Sequence, residues 1–150
     1  MPRPAALEDH LGYWLRFVSN HVSHAFARKL LARGATVAEW VFLRELYGLG
    51  GAAPSALAER MGMTRGAISK LADRLAARGL ITRRSETSDR RYQALALTAA
   101  GRALVPALAA LADRNDDEFF GHLPAKTRAA LAAAMKAVVR RHDLKEIPID

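Results

Sequence analysis

The chain contains no cysteine, which excludes disulfides, thiolate zinc sites, iron–sulfur clusters and thiol redox sensing together. It has no apolar run near the roughly 20 residues that a membrane-spanning helix needs. Its opening stretch, MPRPAALEDH, turns polar too soon for a secretory signal, so the mature chain is expected to start near Met1. The expected location is cytoplasmic, in a bacterial type of cell. No glycine-rich phosphate loop and no nucleophile–base–acid set is present, so an enzyme is not expected. Acids are also scarce: 15 Asp and Glu stand against 23 Lys and Arg, a net charge of +8 with a pI near 10.6. That excess favours nucleic acid or an anionic membrane as partner.

What is present is enough for one core, since 51% of the 150 residues are hydrophobic. Such a length fits one domain, or one domain with an oligomerisation element. Residues 8–33 read as a long amphipathic helix, with Leu11, Trp14, Leu15, Val18, Val22, Ala25, Phe26 and Leu30 at steps of three and four and Gly34 as its stop. The stripe is long for so small a core, so part of it is expected to face a partner chain. Thr36 and Glu39 form a capping box for a helix from Val37 to Leu49 that buries Val41, Phe42 and Leu46. Pro54 opens a short helix through Met61. After the corner at Gly62 and Met63, Thr64 caps the helix TRGAISKLADRLAARG, whose buried stripe is Ile68, Leu71, Ala72 and Leu75. Two helices joined by a glycine-containing turn, the second one basic, make a helix-turn-helix.

From Leu80 the period changes from about 3.6 to about 2. The segments LITRR and RRYQALALT read as a hairpin, with Leu95 and Leu97 on one face and Tyr92, Ala94 and Ala96 on the other. The loop between them, near Ser85 to Arg90, is long and expected to be mobile. Thr98 caps the next helix, in which Pro106 is expected to cause a bend or local break. The last helix carries Pro124 in its first turn and a stripe of Leu131, Met135 and Val138.

A helix-turn-helix followed at once by a basic hairpin is a winged helix, and here the chain resembles the MarR family of bacterial transcription regulators. The phrase SALAERMGMTRGAISKLADRLAARGLITR, residues 55–83, carries the resemblance together with DRRYQALALTAAG, residues 89–101. The second phrase supplies the family's wing pattern at Asp89, Arg91, Leu95, Leu97, Thr98 and Gly101. Two small departures are Ala53, where a Thr or Ser cap is common, and Pro106. The expected fold is mainly α with a small β-hairpin wing: a winged helix-turn-helix lobe over residues 36–101. The resemblance implies helical dimerisation arms at residues 8–33 and 103–145.

The residues also point to DNA on their own terms. A helix of this size fits the major groove, with its N-terminal turn against base edges. Thr64, Arg65 and Gly66 occupy that turn, and Gly66 permits close backbone approach. Arg65 and Lys70 suit guanine O6 and N7, Arg65 through its rigid fork. Ser69 suits a phosphate or base, and Arg74 a phosphate. In the wing, Arg90 is the first choice for the minor groove and Arg91 the second, with Arg83 and Arg84 as flanking phosphate contacts. Asp89 repels phosphate, but it shares a side with Arg91 on an extended segment, and the resemblance implies that it orients that guanidinium. The alternatives, a solvated helix face and a surface salt bridge worth about 0–1 kcal/mol, leave the clustering of these bases unexplained.

The resemblance further implies a homodimeric repressor on a near-palindromic operator, released by a small aromatic or anionic ligand where the arms meet the lobe. Candidate lining residues are Trp14, Phe17, His21, Trp40 and Phe42, for which plain core packing is the alternative. His21 and His24, three apart, lack a third ligand, so neither metal nor cofactor is expected. The basic end of the last helix, Arg140 and Arg141, reads better as a dimer arm than as a membrane-surface helix. A constitutive or low-specificity DNA-binding protein remains the alternative function.

Overall fold

The structure, a computed structural model, describes residues 1–85 and 93–145. A 3-10 turn at Leu7–Asp9 precedes α1 (Leu11–Ala32), α2 (Val37–Leu49), α3 (Pro54–Met61), α4 (Arg65–Ala77), β1 (Ile81–Ser85), β2 (Gln93–Leu97), α5 (Ala99–Phe120) and α6 (Ala125–Arg141). This is the expected α-rich winged helix-turn-helix, and several local signals act as the sequence suggests. The Thr36 hydroxyl accepts the Glu39 N–H at 3.1 Å, while Glu39 Oε1 accepts the Thr36 N–H at 3.0 Å, so α2 opens on a complete capping box. The Thr64 hydroxyl accepts the Ala67 N–H at 3.1 Å and starts α4. Between α3 and α4, Gly62 turns through φ 62°, a left-handed conformation that a Cβ would disfavour.

Other boundaries move. The first long helix starts at Leu11 and not at residue 8, because Asp9 closes a separate turn by accepting the Ala6 N–H at 2.9 Å and His10 is extended. Pro124 caps α6 from outside its first turn. Helix α5 runs unbroken through Pro106 instead of breaking there. Pro106 and Arg102 are both exposed, so the Arg102 carbonyl that loses its helical partner faces water, and the cost stays small. In α2, Leu43 is fully buried while Val41 is only half-buried.

The core joins Leu30 of α1, Phe42, Leu43 and Leu46 of α2, Leu57 of α3, Ile68, Leu71 and Leu75 of α4, and Val105, Leu108 and Leu111 of α5. Each such side chain contributes about 1.5–3 kcal/mol of gross burial free energy. Strands β1 and β2 pair antiparallel, with Ile81 opposite Leu97 and Arg83 opposite Leu95. Ala52, just before α3, adds a bridge: its N–H reaches the Leu95 carbonyl at 2.9 Å, and its carbonyl accepts the Leu95 N–H at 2.7 Å. The wing is thereby tied to the helix-turn-helix through backbone as well as through the buried Leu95.

Helices α1 and α5 meet around Asn115, which is buried. Its Nδ2 donates to the Val22 carbonyl at 3.1 Å, and its Oδ1 accepts from Lys29 Nζ at 2.9 Å. Lys29 also pairs with Glu118 at 2.8 Å. A buried amide with its hydrogen bonds met avoids a penalty of about 1–3 kcal/mol and fixes the register of the two helices. By contrast α6 has no buried residue, and of α1 only Ala25 and Leu30 are buried. Among the described residues no helix is long and apolar enough to cross a membrane.

Candidate nucleic-acid interface

Helix α4 divides cleanly by face. Ile68, Leu71, Ala72 and Leu75 are buried, and Thr64, Arg65, Gly66, Ser69, Lys70 and Arg74 are exposed. Among the described residues no acid pairs with Arg65 or Lys70. A Cβ built on Gly66 meets nothing nearer than Thr64 Oγ1 at 4.0 Å. No neighbour inside the chain therefore requires glycine at this exposed turn.

The other end of α4 is held by α2. Glu39 is buried, and besides its capping role its Oε2 accepts from Arg78 Nη1 at 2.9 Å, with Arg74 Nη2 lying 4.0 Å from Oε1. One carboxylate thus starts α2 and anchors the C-terminal turn of α4. Sequence reasoning found the cap and missed the anchor, because the partner lies 39 residues away. The same end is fastened to α5: the Thr98 hydroxyl donates to the Gly79 carbonyl at 2.6 Å and accepts the Gly101 N–H at 3.1 Å. Gly101 fits against the backbone, since a Cβ there would lie 2.0 Å from the Leu80 carbonyl oxygen. The Thr98 and Gly101 of the wing pattern are thus structural.

Strand alternation sorts the basic residues of the wing. Residues directly opposite in an antiparallel pair share a face, so Arg83 lies on the side of the buried Leu95 and Arg84 on the side of Ala94. Arg83 Nη2 accordingly reaches α4, at 2.6 Å from Asp73 Oδ1 and 3.1 Å from the Ser69 carbonyl. Arg84 is exposed. Asp89, Arg90 and Arg91 lie outside the described residues, as does most of the expected loop, whose first residue, Ser85, ends β1.

Residues 33–91 match the family model described as MarR family. That match spans the helix-turn-helix and the first strand of the wing, where the chain is similar to the MarR family. Over 91% of this chain and 82% of the relative, it is 28% identical to a protein of Thauera aromatica assigned to transcriptional regulation of the hcr operon. The crystal structure of CouR from Rhodococcus jostii RHA1, bound to p-coumaroyl-CoA, superposes with a TM-score of 0.75 at 27% identity, over 90% of this chain and 95% of that one. A mutant MarR from E. coli, complexed with operator DNA, shares the fold with a TM-score of 0.74 at 23% identity, over 86% of this chain and 93% of that one.

The five candidate ligand-lining residues fall into three places on this fold. Trp14, Phe17 and His21 form an exposed aromatic ladder on α1 with Tyr13: Phe17 stacks on His21 at 5.2 Å, and Tyr13 meets Trp14 edge-on at 5.2 Å. Half-buried Trp40 packs edge-to-face on Phe26 at 6.4 Å. Phe42 is fully buried in the core. Both His21 and His24 are exposed, and no group of three or more metal-ligating side chains occurs among the described residues.

Proposed function

We propose that the protein is a sequence-specific DNA-binding regulator that acts as a homodimer, with α4 in the major groove and the wing beside it. The observation that carries this reading is the face of α4: a row of exposed Arg65, Ser69, Lys70 and Arg74 backed by four buried side chains and set beside a basic hairpin. Arg65 and Lys70 face base edges, Gly66 admits a phosphate close to the backbone, and Arg74 and Arg84 neutralise phosphates. Beyond the described residues, Arg90 and then Arg91 enter the minor groove, with Asp89 orienting Arg91. Residues 36–101 act as the DNA-binding lobe, and 8–33 and 103–145 as the dimer arms. The exposed apolar stripes of α1 and α6 support those arms.

A repressor released by a small aromatic or anionic ligand fits this arrangement. The α1 ladder is a planar, exposed surface, and CouR, a likeness at 27% identity, is bound to p-coumaroyl-CoA. A ligand site built from Trp14, Phe17 and His21 needs walls from the second protomer or from around Trp40. The fully buried Phe42 favours a second reading, a constitutive regulator without an effector, to the extent that it removes one candidate wall.

The test is an unbiased binding-site selection with purified protein. A near-palindrome with half-sites about one helical turn apart is expected, bound with a log–log salt slope near −0.9 per phosphate neutralised. No enriched motif, or a slope near zero, would sink the sequence-specific reading. Titrating the selected duplex complex with aromatic acids separates the two versions, since a coupling of about 1–3 kcal/mol loosens binding roughly 5–150-fold.

A further inference from the structure

Asp73 is an acid on the DNA-facing helix of a protein with a net charge of +8, and it is 67% exposed. A carboxylate there opposes phosphate binding at long range. Its partner explains its presence. Arg83 sits on the inward face of β1, opposite Leu95, and its Nη2 donates to the Ser69 carbonyl at 3.1 Å while lying 2.6 Å from Asp73 Oδ1 in an ion pair. Residues 69 and 73 are four apart on α4, so this single nitrogen clasps one helical turn from the strand. The turn it clasps carries Ser69, Lys70 and, one residue beyond, Arg74.

We infer that Asp73 and Arg83 are a positioning pair for DNA binding: they lock the base of the wing to the recognition helix and so set the offset between the groove read by α4 and the groove reached by the wing. This rests on the DNA-binding reading above. The geometry assigns the Arg83 charge to Asp73 and not to a phosphate. A part-exposed ion pair adds little to folding, with a median near zero, so the pair acts on binding geometry and leaves stability nearly unchanged. A rigid offset matters because bases are read only within hydrogen-bond reach, while phosphate attraction tolerates displacement.

The experiment compares wild type, Asp73→Asn, Arg83→Gln and the double variant on the selected operator and on a random duplex of equal length, across a salt series, with thermal melts to verify folding. Asp73→Asn should bind the operator about 3- to 10-fold more weakly, the scale of coupling between neighbours in contact, although it removes a negative charge. Its binding to random DNA should be unchanged or tighter. Arg83→Gln should match that loss with the wild-type salt slope, and the double variant should lose no more than either single one. Operator binding by Asp73→Asn equal to or tighter than wild type overturns the pairing role. So does a salt slope reduced by about one phosphate per protomer in Arg83→Gln, which would mark a direct phosphate contact. Failure of the wild type to prefer the operator would instead remove the sequence-specific reading on which the pair depends.

Discussion

Two glycines, one in the first turn of α4 and one in the first turn of α5, show how differently the same residue type acts. Replacing Gly101 by Ala should favour helix formation by nearly 1 kcal/mol on propensity alone. Against that stands a Cβ placed 2.0 Å from the Leu80 carbonyl oxygen and 3.2 Å from Leu97 Cδ2. The first obstacle is backbone, so the start of α5 must move, and overpacking of this kind costs about 1–3 kcal/mol or more. The clash wins: Gly101→Ala should lower the melting temperature by roughly 2–4 °C for each net kcal/mol lost. At Gly66 the balance reverses, since a Cβ there meets only Thr64 Oγ1, at an ordinary 4.0 Å. Gly66→Ala should leave the melt unchanged or raise it while weakening operator binding, because the added methyl meets DNA and not protein. A stable Gly101→Ala, or a Gly66→Ala that binds as well as wild type, would each remove one of these assignments.

At the level of elements, helix α2 carries a charge arrangement that its sequence half announces. Thr36→Ala removes one cap hydrogen bond and should cost about 1 kcal/mol. Glu39→Ala removes the reciprocal cap bond and also leaves Arg78 without its carboxylate. Arg78 is 41% exposed, so water recovers part of that loss, and about 1–3 kcal/mol is the expected total. Urea melts decide it: equal destabilisation by the two substitutions would show that the link from α2 to α4 adds nothing. Features written in adjacent residues were legible in the sequence, among them the capping box of α2, the threonine caps of α4 and α5, the glycine stops, the switch to a two-residue period at the wing and the basic face of α4. The links that fix the site were not, since Glu39–Arg78, Asp73–Arg83 and Thr98–Gly79 each join separate elements. One of them left a trace: Arg83 falls two residues after buried Ile81, so alternation alone turns it inward. An acid on an otherwise basic helix face was the matching signal at Asp73. At Pro106 the absence of a break was not legible, because it depends on whether the orphaned carbonyl faces water, which local sequence does not reveal.

For the whole molecule, the unpartnered apolar surface is concentrated at the two ends of the chain. Leu11, Trp14, Leu15, Phe17 and Val18 of α1 are 41–76% exposed, and Leu131, Met135, Val138 and Val139 of α6 are 45–53% exposed. Helix α6 buries no side chain against its own protomer, and an amphipathic helix draws most of its stability from packing its apolar face. Scattered apolar residues at a surface need no explanation, whereas contiguous stripes of this size mark an interaction site. A twofold partner would cover both stripes and set two recognition helices at a fixed separation, which a near-palindromic operator requires. The double substitution Met135→Glu and Val138→Glu places two carboxylates within one turn of the α6 stripe, far from the core centred on Phe42 and Leu46. In sedimentation or light scattering the wild type should behave as a dimer and the variant as a monomer. On the selected operator the monomer should bind one half-site at a time, with a salt slope about half that of the dimer because half as many phosphates are neutralised per binding event. A variant that remains dimeric with an unchanged slope would show that α6 is not part of the interface. Wild-type protein that is monomeric at micromolar concentration and still prefers a single half-site would remove the dimer from the reading while leaving the α4 face intact.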